Sequence, residues 1–314
     1  MTAYLIRRVA HAVVVLWAAF TVTFFIMNLT PGSPLLSIIG AQNISATPPS
    51  EIAQLNKQFG FNKPILVRYW SQLWALVRGN LGTSYETRGS VSHMLAQALP
   101  YTLELALAAL VLGVVFGAIV AIVAYYTRIA WLGSVLLVLP PLGAGIPTFW
   151  SGLVLLEVVS FHWRLVPAAG DQGLSTLVLP AITLGIPLAA VLAQVFAEGL
   201  RNTLAEPYVQ VVTAKGASRT RVHFGHAIRN ASLPALTVLG VLVGAAFGGA
   251  VVVEQVFSRN GIGRVALAAV ETKDIPVVQG VVVLAATAYV VVNLLVDLVY
   301  PVVDPRIRLW GKRN

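Results

Sequence analysis

Six apolar stretches, each free of Asp, Glu, Lys and Arg, divide the sequence. A helix needs about 20 predominantly apolar residues to cross the hydrocarbon core of a bilayer, and each stretch meets that length. Backbone amides inside lipid must be hydrogen-bonded within their own segment, which favours helices, and the alternation typical of a membrane barrel is missing from the sequence. The pattern therefore predicts an all-α polytopic membrane protein with six transmembrane helices. The stretches are 9–29, 105–126, 129–156, 173–197, 230–253 and 275–296.

The segment between the first two stretches has a different character. Residues 31–100 are too polar to span a bilayer, and they include an amphipathic piece at 65–77. We expect this segment to form an extracytoplasmic cap. Tyr69, Trp70 and Trp74 fit a helix at the membrane interface, where amphipathic rings are enriched. There, these aromatic residues would either cover the ends of the other helices or contact substrate.

The first apolar stretch follows two arginines, as the core of a signal peptide would. It is longer than a usual signal core and no Ala-x-Ala site comes after it, so we expect it to be retained as a helix. The predicted organisation is an N-terminal segment with the first helix at 1–30, the cap at 31–100, a five-helix core at 101–304 and a tail at 305–314.

Prolines interrupt the third stretch, which holds Pro140, Pro141 and Pro147. Each proline lacks a backbone donor, so this span is predicted to be broken or kinked. Such a break is tolerated only against protein or a water-filled cavity.

Composition supports the membrane prediction and charge adds the orientation. The 314 residues are 57% hydrophobic and only 11% charged, whereas soluble domains carry about 25% charged residues. The net charge of +9 is spread between the apolar stretches, which argues against nucleic acid as a partner. Lys and Arg are concentrated on one side if both termini are cytoplasmic, and the positive-inside rule then predicts that orientation.

The sequence lacks the residues that several kinds of chemistry require. The chain has no cysteine, so disulfides and thiolate metal sites are excluded. It contains no Gly-x4-Gly-Lys-Ser/Thr phosphate loop, no His-Glu-x2-His and no Gly-x-Ser-x-Gly, so we expect neither an ATPase nor a hydrolase. Four carboxylates lie near predicted span ends, within reach of water or headgroups, and we expect structural roles for them: Glu104, Glu157, Glu254 and Asp297.

The loop between the fourth and fifth stretches is the strongest candidate for function. Helix-forming residues run to Lys215, Gly216 offers a left-handed turn, and a basic amphipathic stretch follows. This pattern predicts two short helices joined by a turn. Such a segment lies on lipid headgroups or docks into the groove of a partner. The apolar positions are Val222, Phe224 and Ile228, and the flanking basic ones are Arg219, Arg221 and Arg229.

The motifs of this loop carry a family resemblance. Ala214-Lys215-Gly216, followed by His226-Ala-Ile-Arg229-Asn and Pro234, resembles the EAA loop in the membrane subunits of bacterial ABC importers, in the version found in peptide and nickel permeases. The Glu-Ala-Ala of the general loop is replaced here by Gln210-Val-Val. Similar pieces extend over nearly the whole chain, among them Leu99-Pro-Tyr-Thr-Leu-Glu-Leu105, Pro147-Thr-Phe-Trp150 and Asp274-Ile-Pro-Val-Val-Gln-Gly280.

The resemblance implies an ABC importer type I permease fold and a division of labour in a bacterial cytoplasmic (inner) membrane. This multi-pass chain would form half of a pathway for dipeptides or oligopeptides, with a second homologous permease as the other half. An extracytoplasmic solute-binding protein would deliver the peptide. Cytoplasmic ATPase subunits would bind ATP and Mg²⁺, with no cofactor in this chain. Nickel or glutathione import and, from another class, ion-driven secondary transport remain alternatives.

The same resemblance assigns a role to the cytoplasmic loop 200–232. The loop would couple the permease to the ATPases through Ala214, Lys215, Gly216, Arg219, Arg221, Val222, Phe224, His226 and Arg229. Independently, glycines recur every fourth residue along the fifth stretch and allow close helix contact, either with the second permease or within this subunit. They are Gly240, Gly244 and Gly248.

Overall fold

The computed structural model describes residues 2–29, 38–39, 47–171 and 173–303. Most of these residues are helical, as predicted, and an isolated bridge pairs Thr83 with Ser90. Among the described residues, five helices are long and apolar enough to cross a membrane, and a bent pair of helices would count as a sixth span if it crosses as one. The polytopic all-α prediction is thereby confirmed.

The helices range in length from four residues to 36. In chain order they are α1 (Thr2–Leu29), α2 (Pro49–Phe59), α3 (Ile65–Val77), α4 (Val91–Tyr126), α5 (Ala130–Gly145), α6 (Thr148–Leu155, continued by a π-helical segment, Leu156–His162), α7 (Leu174–Ala205), α8 (Pro207–Ala214), α9 (Arg219–Val222, continued by a π-helical segment, His223–Ala227), α10 (Ile228–Val256), α11 (Ile262–Glu271) and α12 (Ile275–Val303).

Two compact units divide the chain. One contains the residues up to Tyr101 together with Asn260–Val290, and the other contains Thr102–Arg259 and the residues from Val291 onward. The cap predicted for 31–100 falls in the first unit, and its helix α3 has the bounds of the amphipathic piece found in the sequence. The tail predicted for 305–314 lies outside the described residues.

Helix α3 packs into the first unit through one aromatic side chain. Tyr69 is buried against Phe20 and Phe24 of α1, and its hydroxyl accepts a hydrogen bond from Trp17 Nε1 at 3.0 Å. The interface prediction for Tyr69 is therefore wrong. Neighbouring positions on a helix point about 100° apart, so the next residue, Trp70, is exposed, as Trp74 also is.

A carboxylate ties the turn before α4 to the start of α12, also in the first unit. Asp274 is almost fully buried and accepts hydrogen bonds from the Ser84 hydroxyl and from the backbone N–H groups of Tyr85 and Glu86. Three donors satisfy this buried charge, which would otherwise be costly. The turn from residue 84 to residue 86 is thereby fixed against the end of a predicted span.

Helix α7 is the centre of the second unit. It packs against α5, α6 and α10, and two-thirds of its most apolar window is buried, 67% against 28% for the corresponding window of α4. Glycines let its neighbours approach closely. A Cβ atom on Gly117 of α4 would lie 2.8 Å from the Ala189 carbonyl oxygen, and one on Gly199 of α7 would lie 2.9 Å from that of Ala231 on α10.

We expect Gly117→Ala to destabilise the protein by about 1–3 kcal/mol, because the added methyl collides with backbone that cannot rotate away. Thermal unfolding of the purified protein in detergent measures this loss. Gly145→Ala is the matched control, since a Cβ there meets nothing within 4 Å, and its unfolding temperature should stay close to that of the parent. Equal effects of the two variants would contradict the close approach of α4 and α7.

The predicted break in the third span is confirmed, and it lies at one proline. Helices α5 and α6 are bent by 103° where they meet, at Ile146 and Pro147. The residue before a proline is biased towards extended backbone, and Ile146 adopts φ −77° and ψ 124°. Pro140 and Pro141 lie within α5.

A buried polar cluster lies in the second unit, where the sequence predicts solvated carboxylates. Glu254 is fully buried and accepts a 2.6 Å hydrogen bond from the Thr102 hydroxyl, so the expected contact of this residue with water or headgroups is wrong. Arg259, which the sequence pattern did not single out, is 1% exposed. Its Nη2 donates to Glu104 Oε2 at 3.2 Å, and its Nε lies 3.7 Å from Asp171 Oδ1.

Arg259 also compensates for a proline. Pro180 lies inside α7 and cannot donate to the carbonyl four residues earlier, that of Thr176. Arg259 Nη1 donates to this carbonyl at 3.5 Å. The guanidinium thus serves a carbonyl that the helix itself leaves without its usual partner.

Candidate functional site

The loop between α7 and α10 has the two short helices and the turn that the sequence predicts. Helix α8 ends at Ala214, and Gly216 adopts φ +84°, a left-handed conformation that favours glycine. The space where a Cβ would stand at Gly216 is open. Ser218 then caps α9, since its hydroxyl accepts the N–H of Arg221 at 3.3 Å. The glycine therefore serves backbone conformation rather than close packing.

Helix α9 is anchored to the end of α4 through Arg219. The Nη2 of Arg219 donates to the carbonyls of Tyr125 and Thr127, at 3.2 and 3.3 Å. Its guanidinium carbon lies 5.6 Å from the centroid of the Tyr126 ring, and the Tyr126 hydroxyl is 3.0 Å from Thr220 Oγ1. A cation at a helix C-terminus also interacts favourably with the helix dipole. Arg219 thus ties α9 to the C-terminal carbonyls of α4.

The π-helical turn after α9 completes this anchor. His223 Nδ1 lies 3.0 Å from the carbonyl oxygen of Arg219, and the imidazole meets the Tyr126 ring edge-on at 5.5 Å between centroids. Val222 and Ala227 are buried nearby in sequence. Phe224, in the same turn, also meets the Tyr126 ring edge-on, at 5.6 Å between centroids, and it remains 53% exposed.

The outward residues of the loop combine apolar and basic side chains. Phe224 and Val211 are each 53% exposed, although large apolar side chains gain free energy by burial. We define the outward set as seven exposed residues of the loop: Val211, Ala214, Lys215, Gly216, Arg221, Phe224 and Arg229. Exposed apolar groups beside several cations are typical of a surface that docks onto another protein or a headgroup layer.

The structure therefore divides the residues predicted for coupling. Val222 is buried, and Arg219, although exposed, holds α9 in place through its hydrogen bonds to the Tyr125 and Thr127 carbonyls. His226 is half-buried, and the remaining members belong to the outward set. Tyr126 and Thr220 were missed from the sequence, because the first ends an apolar stretch and the second is a small polar residue in a basic loop. No local pattern relates them, since they are 94 positions apart.

The glycines of the fifth span differ in their surroundings. Gly240 is buried within this subunit, Gly244 is half-buried and Gly248 is exposed, with nothing within 4 Å of the point where a Cβ would stand. Packing within the subunit accounts for Gly240. The surface around Gly248 is open, and contact there with a second permease stays a prediction.

Comparison with known proteins decides the family. The family model of the binding-protein-dependent transport system inner membrane component matches residues 113–309, and the model of the N-terminal part of such membrane components matches residues 1–106. The chain belongs to this family. The permease is accordingly a multi-pass protein of the bacterial inner membrane.

Curated relatives align with the permease over nearly its full length. It is 33% identical to the dipeptide transport system permease protein DppB of Escherichia coli K12, over 98% of this chain and 99% of that protein. It is 34% identical to a putative peptide transport system permease protein of Brucella abortus, with the same coverage. A solved amino acid ABC transporter with histidines aligns at a TM-score of 0.47 and 15% identity, over 71% of this chain and 95% of that one.

Proposed function

We propose that the permease is one membrane subunit of an ATP-driven importer of dipeptides or oligopeptides. The names of its relatives favour peptides over nickel, glutathione or an ion-coupled substrate. A second homologous permease forms the other half of the pathway, and an extracytoplasmic binding protein delivers the peptide. The observation that carries the coupling role is the loop itself, which is anchored on one side and presents an apolar and basic surface on the other.

The proposed topology has six spans with both termini in the cytoplasm. The five single helices and the bent pair α5–α6 give six if that pair counts as one span. Arg219, Arg221 and Arg229 then fall on the cytoplasmic side with the loop, as the positive-inside rule favours. This placement brings the outward set to the side where ATPase subunits reside.

This subunit receives the energy of ATP hydrolysis through its contact with the ATPase subunits. The sequence has no phosphate loop, so ATP and Mg²⁺ belong to the partner ATPases. Closure of the ATPases moves a groove that holds Phe224, and α9 follows. Because Arg219 holds the last carbonyls of α4, and the chain joins the loop to α7 and α10, three spans share the displacement. Coupling requires such a physically connected element with two positions.

We expect Phe224→Ala to weaken binding of the ATPase subunits by at least tenfold. An exposed aromatic side chain that fills a partner's pocket is the usual centre of binding energy, and truncating it costs about 2 kcal/mol or more. The measurement is the dissociation constant between ATPase subunits and permease complex in nanodiscs, followed by ATP-driven peptide uptake in proteoliposomes.

Phe116→Ala is the matched control, because Phe116 is 55% exposed but lies on the spanning helix α4. It should leave ATPase binding unchanged. Unaltered affinity in the Phe224 variant would contradict the docking role of the loop. Uptake by proteoliposomes that lack the ATPases would contradict the importer class itself.

A further inference from the structure

The exposed face of α3 is apolar. Large apolar side chains recur along it every three or four residues, which places them on one side of the helix. We call them the α3 stripe, and each member is at least half exposed: Leu66, Val67, Trp70, Trp74 and Val77. Apolar side chains gain free energy when they leave water, and a contiguous exposed patch of them marks a contact surface.

The polar side chains of α3 lie on the opposite face, towards the protein. The guanidinium carbon of Arg68 is 5.3 Å from the centroid of the Phe61 ring, and two of its nitrogens are buried, as is Oε1 of Gln72. Ser71 is exposed, but its hydroxyl donates to the Arg68 carbonyl at 2.8 Å, so it needs no partner from the surroundings. A water-facing helix has the reverse arrangement, with polar residues outside. The outer face of α3 therefore suits lipid.

Contacts with α1, which is in the same unit, give the depth of α3 in the bilayer. The apolar span of α1 runs from Arg7 to Leu29. At a rise of 1.5 Å per residue, Trp17 lies about 15 Å from the first end of this span and about 18 Å from the second. The Tyr69 hydroxyl accepts a hydrogen bond from Trp17 Nε1 at 3.0 Å and lies 2.9 Å from Thr21 Oγ1. This hydroxyl is therefore near the middle of the span.

The ring of Tyr69 also lies beside the apolar part of α1. Its centroid is 5.3 Å from that of Phe24 and 5.7 Å from that of Phe25. Phe24 precedes Leu29 by about 7–8 Å along the helix axis, and the hydrocarbon core is about 30 Å thick. Helices of the membrane interface bury their apolar face about 5–10 Å into the boundary between headgroups and acyl chains. The contacts of Tyr69 place α3 at a comparable depth.

Cationic residues stand at both ends of α3 and none lies in the stripe. Lys63 precedes the helix, Arg78 follows it, and both are exposed. The guanidinium carbon of Arg78 lies 5.1 Å from the centroid of the Trp74 ring. Long cationic side chains extend from lipid to the headgroup layer, where tryptophan is also enriched. The ends of α3 thus fit a helix whose apolar face is in the acyl chains.

We propose that the α3 stripe binds phospholipid acyl chains in the leaflet at the Leu29 end of α1, with Arg78 at the headgroup phosphates. Helix α3 is then embedded in the bilayer in addition to the spans, and this part of the predicted cap lies in lipid rather than water. The neighbouring surface of α1 is also apolar, since Val22 and Ile26 are more than half exposed. The inference requires α1 to span the membrane. It is independent of the substrate and of the coupling role.

The first test measures whether water reaches the stripe. The chain has no cysteine, so Val67→Cys and Trp74→Cys introduce single thiols into the full transporter complex in nanodiscs of phosphatidylethanolamine and phosphatidylglycerol. We expect a charged maleimide to alkylate both at least about 100-fold more slowly than Gln54→Cys, because only the thiolate reacts and low dielectric disfavours it. Gln54 is the matched control, as an exposed residue of the polar helix α2 in the same unit. Val22→Cys on α1 should react as slowly as the stripe.

The second test distinguishes lipid from a protein that covers the stripe. The parent complex is irradiated in nanodiscs that contain a phospholipid with a diazirine in its acyl chain, and mass spectrometry locates the attached lipid. We expect lipid on residues 65–77 and none on residues 49–59. This measurement needs no substitution, so it decides the result even if a cysteine variant fails to fold.

Two outcomes overturn the inference. If the stripe thiols react as fast as that of Gln54→Cys, the stripe faces water. If they react slowly but no lipid attaches to residues 65–77, another subunit covers the stripe. ATP-driven uptake is measured in parallel, and ATP-independent uptake would remove the proposed function while leaving this inference in place.

Discussion

Replacing Gly216 with valine is expected to abolish most ATP-driven uptake while the protein still inserts into the membrane. Gly216 has φ +84°, a conformation that costs an L-residue roughly 1–2 kcal/mol and a β-branched one more. The space around it is open, so the loss arises from backbone strain and not from a collision. Strain of that size reduces the population of the native turn by about five- to thirtyfold.

Two substitutions show whether conformation is the cause. Gly216→Asn keeps uptake close to normal, because Asn tolerates the left-handed region. Gly225→Ala adds a methyl to the same loop at a position without positive φ, where the nearest atom is 3.9 Å away. It should have little effect. Uptake is measured in proteoliposomes together with ATPase binding, and normal uptake by the valine variant would contradict the coupling role of this turn.

Arg259→Leu is expected to lower the free energy of unfolding by about 3 kcal/mol, which is at the low end of the cost of removing one partner of a buried ion pair. The substitution leaves Asp171, which is mostly buried, without the charge 3.7 Å away, and it removes the donor to the Thr176 carbonyl. Glu104 is 45% exposed and is resolvated by water, so it adds little to the loss. Chemical denaturation of the purified protein in detergent measures the change.

The control for this effect is the exposed pair Arg201–Glu198, joined at 2.6 Å with side chains 64% and 52% exposed. Arg201→Leu should change the stability by less than about 1 kcal/mol, because water and salt screen such pairs. Similar losses in the two variants would show that burial of Arg259 is not what makes its ion pairs important.

The sequence predicts those parts of the molecule that depend on local pattern. Apolar length predicts the spans, and the amphipathic period at 65–77 predicts α3 with its observed bounds. A proline places the break between α5 and α6. The Gly216 turn follows from the one residue type that adopts positive φ freely.

Local patterns do not predict contacts between residues that are far apart in the sequence. The period that predicts α3 does not show which aromatic ring enters the core, so Tyr69 was misplaced. A charged residue near a span end is expected to be solvated, yet Glu254 is buried and accepts a hydrogen bond from the hydroxyl of Thr102, 152 positions away in the sequence. In the candidate site, local sequence gives the two helices and the basic residues. Both Arg219 and Arg221 are exposed, and local sequence does not reveal that Arg219 is the anchor, since the Tyr125 and Thr127 carbonyls that it binds come from another part of the chain.

The two prolines of α7 affect how far a movement can travel. Pro180 and Pro187 each remove one rung of the helical hydrogen-bond ladder, within the most buried spanning window of the described chain. Prolines are the usual sites of kinks in helices, and Arg259 replaces the missing donor only at Thr176. A displacement that starts at the loop end of α7 would therefore be taken up as a change in curvature near Pro187 before it reaches Leu174. Gly113 and Gly117 of α4 lie against the segment of α7 between Pro187 and the loop, so this segment and α4 would move together.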